Sequence, residues 1–342
     1  FKTLGLSPQL LKTIEAMGIV TPSPIQDQII PEILNNKDVI GLAATGTGKT
    51  AAFLIPLIER FIQGTEEQVL VLAPTRELAI QIEDEFRKLS RGLRLFSVTC
   101  IGGVNIRPQI KALKHRNDLI IGTPGRVMDL MERKHIRMNE VTTVVLDEAD
   151  RMLDMGFIHD MRSILSAAPA ERNTLFFSAT MTSAAQGLVH EFLKDPVTIS
   201  VKKKDVIDSI AQDVVHYTHS NKCDTLLGLL ENPDFKRVII FGAMKHSVEK
   251  LANELSRSGI LAESIHGNKS HGQRQRSLSK FKSGNARVLV ATDVAARGIH
   301  VDNITHVINY DLPGTFEDYV HRIGRTGRAS SKGMALTFVS GR

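Results

Sequence analysis

Residues 43–50 read AATGTGKT and residues 147–150 read DEAD, and both blocks suit a polyphosphate. Gly46 and Gly48 let the backbone turn so that its N–H groups face an anion. A helix start directly after them adds the positive end of its dipole. Lys49 offers a point charge to β- and γ-phosphates, Thr50 offers a hydroxyl to Mg2+, and Thr45 and Thr47 complete the loop. The first glycine of the generic phosphate-loop pattern is Ala43 here. Asp147 is suited to hold Mg2+ through water. Glu148 aims a carboxylate where a hydrolytic water must sit, as general base or water orienter.

Such side chains work only if the backbone delivers them to one place. The run Asp38–Leu42 reads as a strand before the glycine loop, and Thr50–Phe61 as the helix after it. Val69–Ala73, Leu119–Gly122, Val144–Leu146 and Leu175–Ser178 are further short apolar runs. Between them Leu78, Ile82, Phe86 and Leu89 share one helical face. Strands alternating with helices imply a parallel sheet covered on both sides, with ligands beyond the strands' carboxyl ends. The pattern breaks at VKKKDVIDS, residues 201–209, and then resumes. Strands are expected at Val238–Phe241, Ala262–Ile265, Val288–Thr292, Thr305–Asn309 and Ala335–Val339, and helices at Ser247–Ser258, Gln273–Phe281 and Phe316–Arg322. The fold class is α/β: two parallel-sheet domains, 1–201 and 210–342, joined by a flexible linker at 202–209.

Composition excludes several classes. With 42% hydrophobic and 23% charged residues, the chain is no disordered polymer. No apolar run approaches the ~20 residues that cross a bilayer. Cys100 and Cys223 form no Cys-x-x-Cys pair, which excludes a disulfide scaffold or zinc ribbon and suits a reducing cytosol. The first residue is Phe1, and the chain is expected to be trimmed at both ends. Net charge is +6, unevenly spread: residues 1–200 hold 22 basic and 23 acidic side chains, residues 201–342 hold 21 and 14. A basic second half suggests a polyanionic partner.

Further blocks follow in order: GIVTPSPIQ (18–26), PTRELA (74–79), Gly102-Gly103, TPGR (123–126), SAT (178–180), ATDVAARG (291–298) and HRIGRTGR (321–328). In this order and spacing, over its whole length, the chain resembles the DEAD-box ATP-dependent RNA helicases. The resemblance implies two RecA-like domains, ATP and Mg2+ as cofactors, and RNA-stimulated hydrolysis coupled to domain closure, RNA bending and local unwinding of short duplexes. Gln26 is then expected to read the adenine edge and Phe1 to stack on the ring. Pro74, Thr75, Arg76, Gly103, Thr123, Gly125 and Arg126 are implied as contacts to the RNA sugar–phosphate backbone. Gly267, Arg274 and Thr292 are their second-half counterparts. Arg325 and Arg328 resemble arginine fingers for the γ-phosphate. Gly298 and His300 belong to the expected nucleotide site. Ser178, Thr180, Asp150, His321 and Arg322 are implied as coupling residues, with His321 and Arg322 linking to the DEAD and SAT blocks.

Three positions depart from the family pattern: His300 replaces an Asp expected on the ribose, Met244 a Thr, and His271 a Gln. An ATP-gated RNA clamp and a DNA translocase are the rival readings. The intact Glu148 and paired arginines oppose the first, and the block at 18–26 with the DEAD spelling opposes the second. The expected location is the cytoplasm, with RNA as the main partner and protein partners in RNA metabolism admitted.

Overall fold

A computed structural model describes the chain except residues 44–45, 65–67, 202–209, 219–220, 297–300, 302, 328–332 and 342, and the side chains of residues 271 and 317. It divides into two compact units, Phe1–Lys202 and Lys203–Arg342. The linker expected at 202–209 lies outside the described residues.

The first unit is built on seven parallel strands: β1 (Val39–Leu42), β2 (Gln68–Leu72), β3 (Ser97–Cys100), β4 (Leu119–Gly122), β5 (Val141–Leu146), β6 (Asn173–Ser178) and β7 (Val197–Ser200). Their order across the sheet is β3-β4-β2-β5-β6-β1-β7. The central strands are apolar at nearly every position because both faces are covered. Successive side chains of β2 part accordingly. Val69 and Val71 join a cluster with the helices α2 (Pro24–Leu34), α3 (Lys49–Ile62) and α4 (Arg76–Leu89). Leu70 and Leu72 join another with α6 (Pro124–Glu132), α8 (Ile158–Ala167) and α9 (Ser183–Phe192).

The second unit repeats the plan with six parallel strands: β8 (Ile210–Tyr217), β9 (Val238–Phe241), β10 (Ala262–Ile265), β11 (Val288–Ala291), β12 (His306–Asn309) and β13 (Gly333–Ser340), in the order β10-β11-β9-β12-β13-β8. Val238 and Ile240 face one core cluster, Ile239 and Phe241 the other. Three strands escaped the sequence reading: β3, β7 and β8. Each is an edge strand, and only part of its length is buried.

Candidate functional site

Parallel strands send all their exits to one edge, and the order in the first unit sorts those exits into two groups. β5, β6 and β1 are neighbours, and from them emerge Asp147–Asp150, Ser178–Thr180 and the glycine loop. β3, β4 and β2 are neighbours, and from them emerge Gly102-Gly103, Thr123–Arg126 and Pro74–Arg76. The phosphate blocks and the expected RNA blocks thus lie side by side along a single sheet edge.

In the first group, Gly46 and Gly48 hold φ of 90° and 89°, a conformation open to glycine. A Cβ on Gly48 would also collide with the Gln26 amide. Gln26 is buried, and its side chain is engaged at both ends: Nε2 donates to Gly48 O at 3.1 Å, and Oε1 accepts from Ser23 N at 2.9 Å. Ser23 Oγ donates to Thr47 O at 2.8 Å. The 18–26 block therefore braces the phosphate loop, leaving Gln26 one N–H and one lone pair for a base edge. Phe1 packs against the core cluster of this unit. Lys49 is buried and donates to Ala43 O at 2.7 Å, which leaves two of its three donors for phosphate. Thr50 follows it at the start of α3.

Asp147 is 2% exposed, and its Oδ1 has no hydrogen-bond partner among the described residues. Burial pushes its carboxyl well above the ordinary range, Lys49 pulls it down, and Glu148 raises it. Glu148 sits at φ 53° and ψ 50° and is bonded to Arg151 at 2.8 Å. Asp150 is the hub: Oδ1 accepts from Arg151 N at 3.1 Å, and Oδ2 from Ala179 N at 3.1 Å, Thr180 N at 3.0 Å and Thr180 Oγ1 at 3.1 Å. Ser178 Oγ donates to Thr180 O at 2.6 Å. The DEAD and SAT blocks are one hydrogen-bonded body.

In the second group, Thr75 caps α4, its hydroxyl oxygen accepting from Leu78 N at 3.2 Å. Thr123 is the N-cap residue of α6, with Gly125 in its first turn. Gly103 holds φ 70°, and a Cβ there would overlap the Arg76 guanidinium. Arg126 Nη2 reaches Val104 O at 3.3 Å. Two arginines from separate strand exits bracket the same glycine turn, an electropositive rim suited to phosphate. Gly103 acts here by making room for Arg76.

In the second unit, Gly267 and Thr292 follow the adjacent strands β10 and β11, and Met244 follows β9, 55% exposed. Arg274 lies in the helix His271–Ser283. Arg325 is 3% exposed. Arg322, implied as a link to the DEAD and SAT blocks, makes the following bonds within the second unit. Nε and Nη2 hold both oxygens of Asp293 at 2.6 and 2.7 Å, and Nη1 donates to Asn309 Oδ1 and Asp311 O. It is a strut joining the exits of β11 and β12. His321 precedes it in the helix Phe316–Ile323. Thr45, Gly298, His300 and Arg328 lie outside the described residues, as does the His271 side chain.

Sequence reasoning missed two positions. Arg151 is fully buried on Glu148, three residues behind it, and that helical spacing was the available signal. Glu249 gathers Ser264, His266 at 3.0 Å and Lys269 at 3.3 Å around the turn that holds Gly267. Nothing in the local sequence announces that tie, because it spans a helix and a strand.

Among the described residues, no three His, Cys, Asp or Glu side chains could together hold a metal, and no helix is long and apolar enough to cross a membrane. Residues 23–188 match the DEAD/DEAH box helicase family model, and residues 221–330 match the helicase conserved C-terminal domain. Over its whole length the chain is 48% identical to the DEAD-box ATP-dependent RNA helicase CshA of Bacillus subtilis (strain 168), covering 70% of that protein. It is equally similar to CshA of Geobacillus kaustophilus (strain HTA426), at 48% and 74%. Among solved structures, S. cerevisiae Dbp5 bound to RNA and ADP BeF3 matches with a TM-score of 0.89 at 32% identity, over 100% of this chain and 90% of that one. A DEAD box protein from the hyperthermophile Methanococcus jannaschii matches at 0.60 and 40%, over 99% and 93%.

Proposed function

Because the chain belongs to the DEAD-box ATP-dependent RNA helicases, we propose the following division of labour among its residues. ATP enters at the glycine loop, where Thr45, Gly46, Thr47, Gly48 and Lys49 hold the phosphates. Gln26 reads adenine with its remaining donor and acceptor, and Phe1 stacks on the ring. Asp147, with a buried oxygen lacking a partner beside Thr50, has the donor set of a cation site that takes its other ligands from phosphate and water. Mg2+ held by Thr50 and Asp147 would neutralise phosphate charge. Glu148 orients the attacking water and takes its proton.

RNA lies on the neighbouring exits, along Pro74, Thr75, Arg76, Gly103, Thr123, Gly125 and Arg126, with Gly267, Arg274 and Thr292 completing the path. These groups address phosphate and ribose, so little sequence preference follows. Arg325 and Arg328 reach the γ-phosphate when ATP and RNA together close the two units. Closure bends the strand and expels its complement from a short duplex, and hydrolysis with phosphate loss resets the cycle. Gly298 and His300 meet the ribose. A cytoplasmic location and protein partners in RNA metabolism belong to the same reading.

The observation that carries this reading is the Asp150 hub, which fastens the hydrolytic block to the SAT turn on an edge shared with the RNA-facing arginines. The test compares RNA- with DNA-stimulated ATPase, beside strand release from a short duplex. RNA alone should stimulate, and Lys49→Ala and Glu148→Gln should abolish turnover, with Glu148→Gln still gripping RNA in the presence of ATP. Equal stimulation by DNA overturns the RNA assignment.

A further inference from the structure

The hydrolytic carboxylate is held by a side chain to which the function above gives no role. Glu148 adopts a left-handed backbone conformation, which costs a non-glycine residue about 1–2 kcal/mol and therefore needs support from its surroundings. Its Oε2 accepts from Arg151 Nη1 at 2.8 Å, and the two side chains are 4% and 3% exposed. Arg151 N also donates to Glu148 O at 3.0 Å, so the pair closes a ring through the first turn of α7 (Ala149–Asp154). Arg151 is tied on its other side as well: the same backbone N–H lies 3.1 Å from Asp150 Oδ1, while Asp150 Oδ2 holds Ala179 and Thr180.

The guanidinium grips with one arm. Nη2 is buried and has no hydrogen-bond partner among the described residues. A buried ion pair with an unsatisfied nitrogen is a poor device for stability, since burying both charges and one unmade bond offsets the attraction. It is a good device for fixing an angle, because the carboxylate plane is set by a short bond inside a water-free turn.

We propose that Arg151 is a positioning residue for hydrolysis, orienting the Glu148 carboxylate and joining it, through Asp150, to the SAT turn. The proposal rests on Glu148 being the group that orients the attacking water. Movement of residues 178–180 is felt first by Asp150, then by the Arg151 backbone, then by the angle of Glu148. The chain of contacts is Thr180 to Asp150 to Arg151 to Glu148, all within one unit and all within hydrogen-bond distance.

The test uses the full chain and three variants: Glu148→Gln, Arg151→Met and Arg151→Lys. Arg151→Met should lower the RNA-stimulated kcat about 10–100-fold, the usual loss when the partner orienting a reactive group is removed. The KM for ATP, and RNA affinity in the presence of a non-hydrolysable ATP analogue, should stay within about twofold of wild type. Arg151→Lys, which keeps the charge and the single arm in use, should recover the larger part of kcat. A purely structural role predicts otherwise: kcat and analogue-dependent RNA affinity would fall together, and lysine would restore neither or both. That pattern overturns the proposal, as does wild-type turnover in Arg151→Met beside an inactive Glu148→Gln. Wild-type turnover in Glu148→Gln instead removes the reading of Glu148 itself. If Arg151→Met is unfolded at the assay temperature, Arg151→Gln takes its place: kcat reduced at unchanged RNA affinity supports the proposal, and unchanged kcat overturns it.

Discussion

Asp150→Asn removes one atom's worth of charge from the hub between hydrolysis and RNA binding. The carboxylate accepts four hydrogen bonds, one on Oδ1 and three on Oδ2, and is 4% exposed. An asparagine can turn its oxygen to the three donors at Ala179 and Thr180. Its amide nitrogen then faces Arg151 N, donor against donor. Bonds to a charged acceptor are worth about 1.5–3 kcal/mol and neutral ones about 0.5–1.5, and Arg151 N keeps its bond to Glu148 O, so weakening the other three should cost about 3–5 kcal/mol. For a unit near 200 residues that corresponds to a melting shift of about 6–20 °C. Thermal melting of the full chain reads the first consequence. The second is mechanistic, since neutral bonds hold the SAT turn to the DEAD block more weakly than charged ones. Strands released per ATP hydrolysed should fall, measured on a short duplex with saturating ATP, while Lys49 and Asp147 still bind nucleotide. A variant that melts with wild type and releases as many strands per ATP would refute the argument, because four bonds to a buried carboxylate would then carry neither stability nor coupling.

Two further outcomes follow from local geometry. Gly103→Ala sets a Cβ against the Arg76 guanidinium at a positive φ, so Arg76 should leave the turn. RNA affinity should weaken, and the slope of log K against log salt should fall by about 0.7, one phosphate contact on a single strand, in a fluorescence titration across salt. An unchanged slope removes Arg76 from the phosphate path. Glu85 is raised from 4.5 to about 7, first by burial, then by the charge of Asp147, against the opposing pull of Lys88. The folded chain holds that proton more tightly than the unfolded one, so stability is full below about pH 4.5 and is lost as pH rises towards 7, by on the order of 2 kcal/mol. Glu85→Gln should gain melting temperature relative to wild type between pH 5 and pH 8, and a constant difference across that range would disprove the shift.

The sequence was most legible where physics constrains it most. Doubly covered strands must be apolar throughout, so Val238–Phe241 and Leu119–Gly122 stand at the bounds read from the pattern. β8 was illegible because Ala211–Val214 are exposed, so its alternation carries little apolar signal. At the site, residue type announced Lys49, Asp147 and Glu148, whose proposed roles are direct contacts to ligand. Partners that act through another side chain were harder to read. HRIGRTGR marks Arg322, but not the acceptors Asp293 and Asn309 that its buried guanidinium takes from other strand exits. The 18–26 block marks Gln26, but not the bonds to Ser23 N and Gly48 O that hold its amide.

Sheet order turns these local facts into a mechanism. Chain order places PTRELA, Gly102-Gly103 and TPGR between the glycine loop and the DEAD and SAT blocks. The order β3-β4-β2-β5-β6-β1 unmixes them, collecting the three exits proposed for RNA on one side and the three proposed for phosphate on the other. The border falls between β2 and β5, where Asp147 N donates to Leu72 O at 2.9 Å just before Pro74–Arg76 leave the sheet. Strain arising at the RNA side therefore meets the DEAD block after a single strand spacing of about 4.8 Å, without crossing the core. A close-packed sheet passes such a displacement on with little loss. On the proposed reading, a displacement at the PTRELA side reaches the DEAD block across one backbone bond, and the Asp150 carboxylate carries it on to the SAT turn.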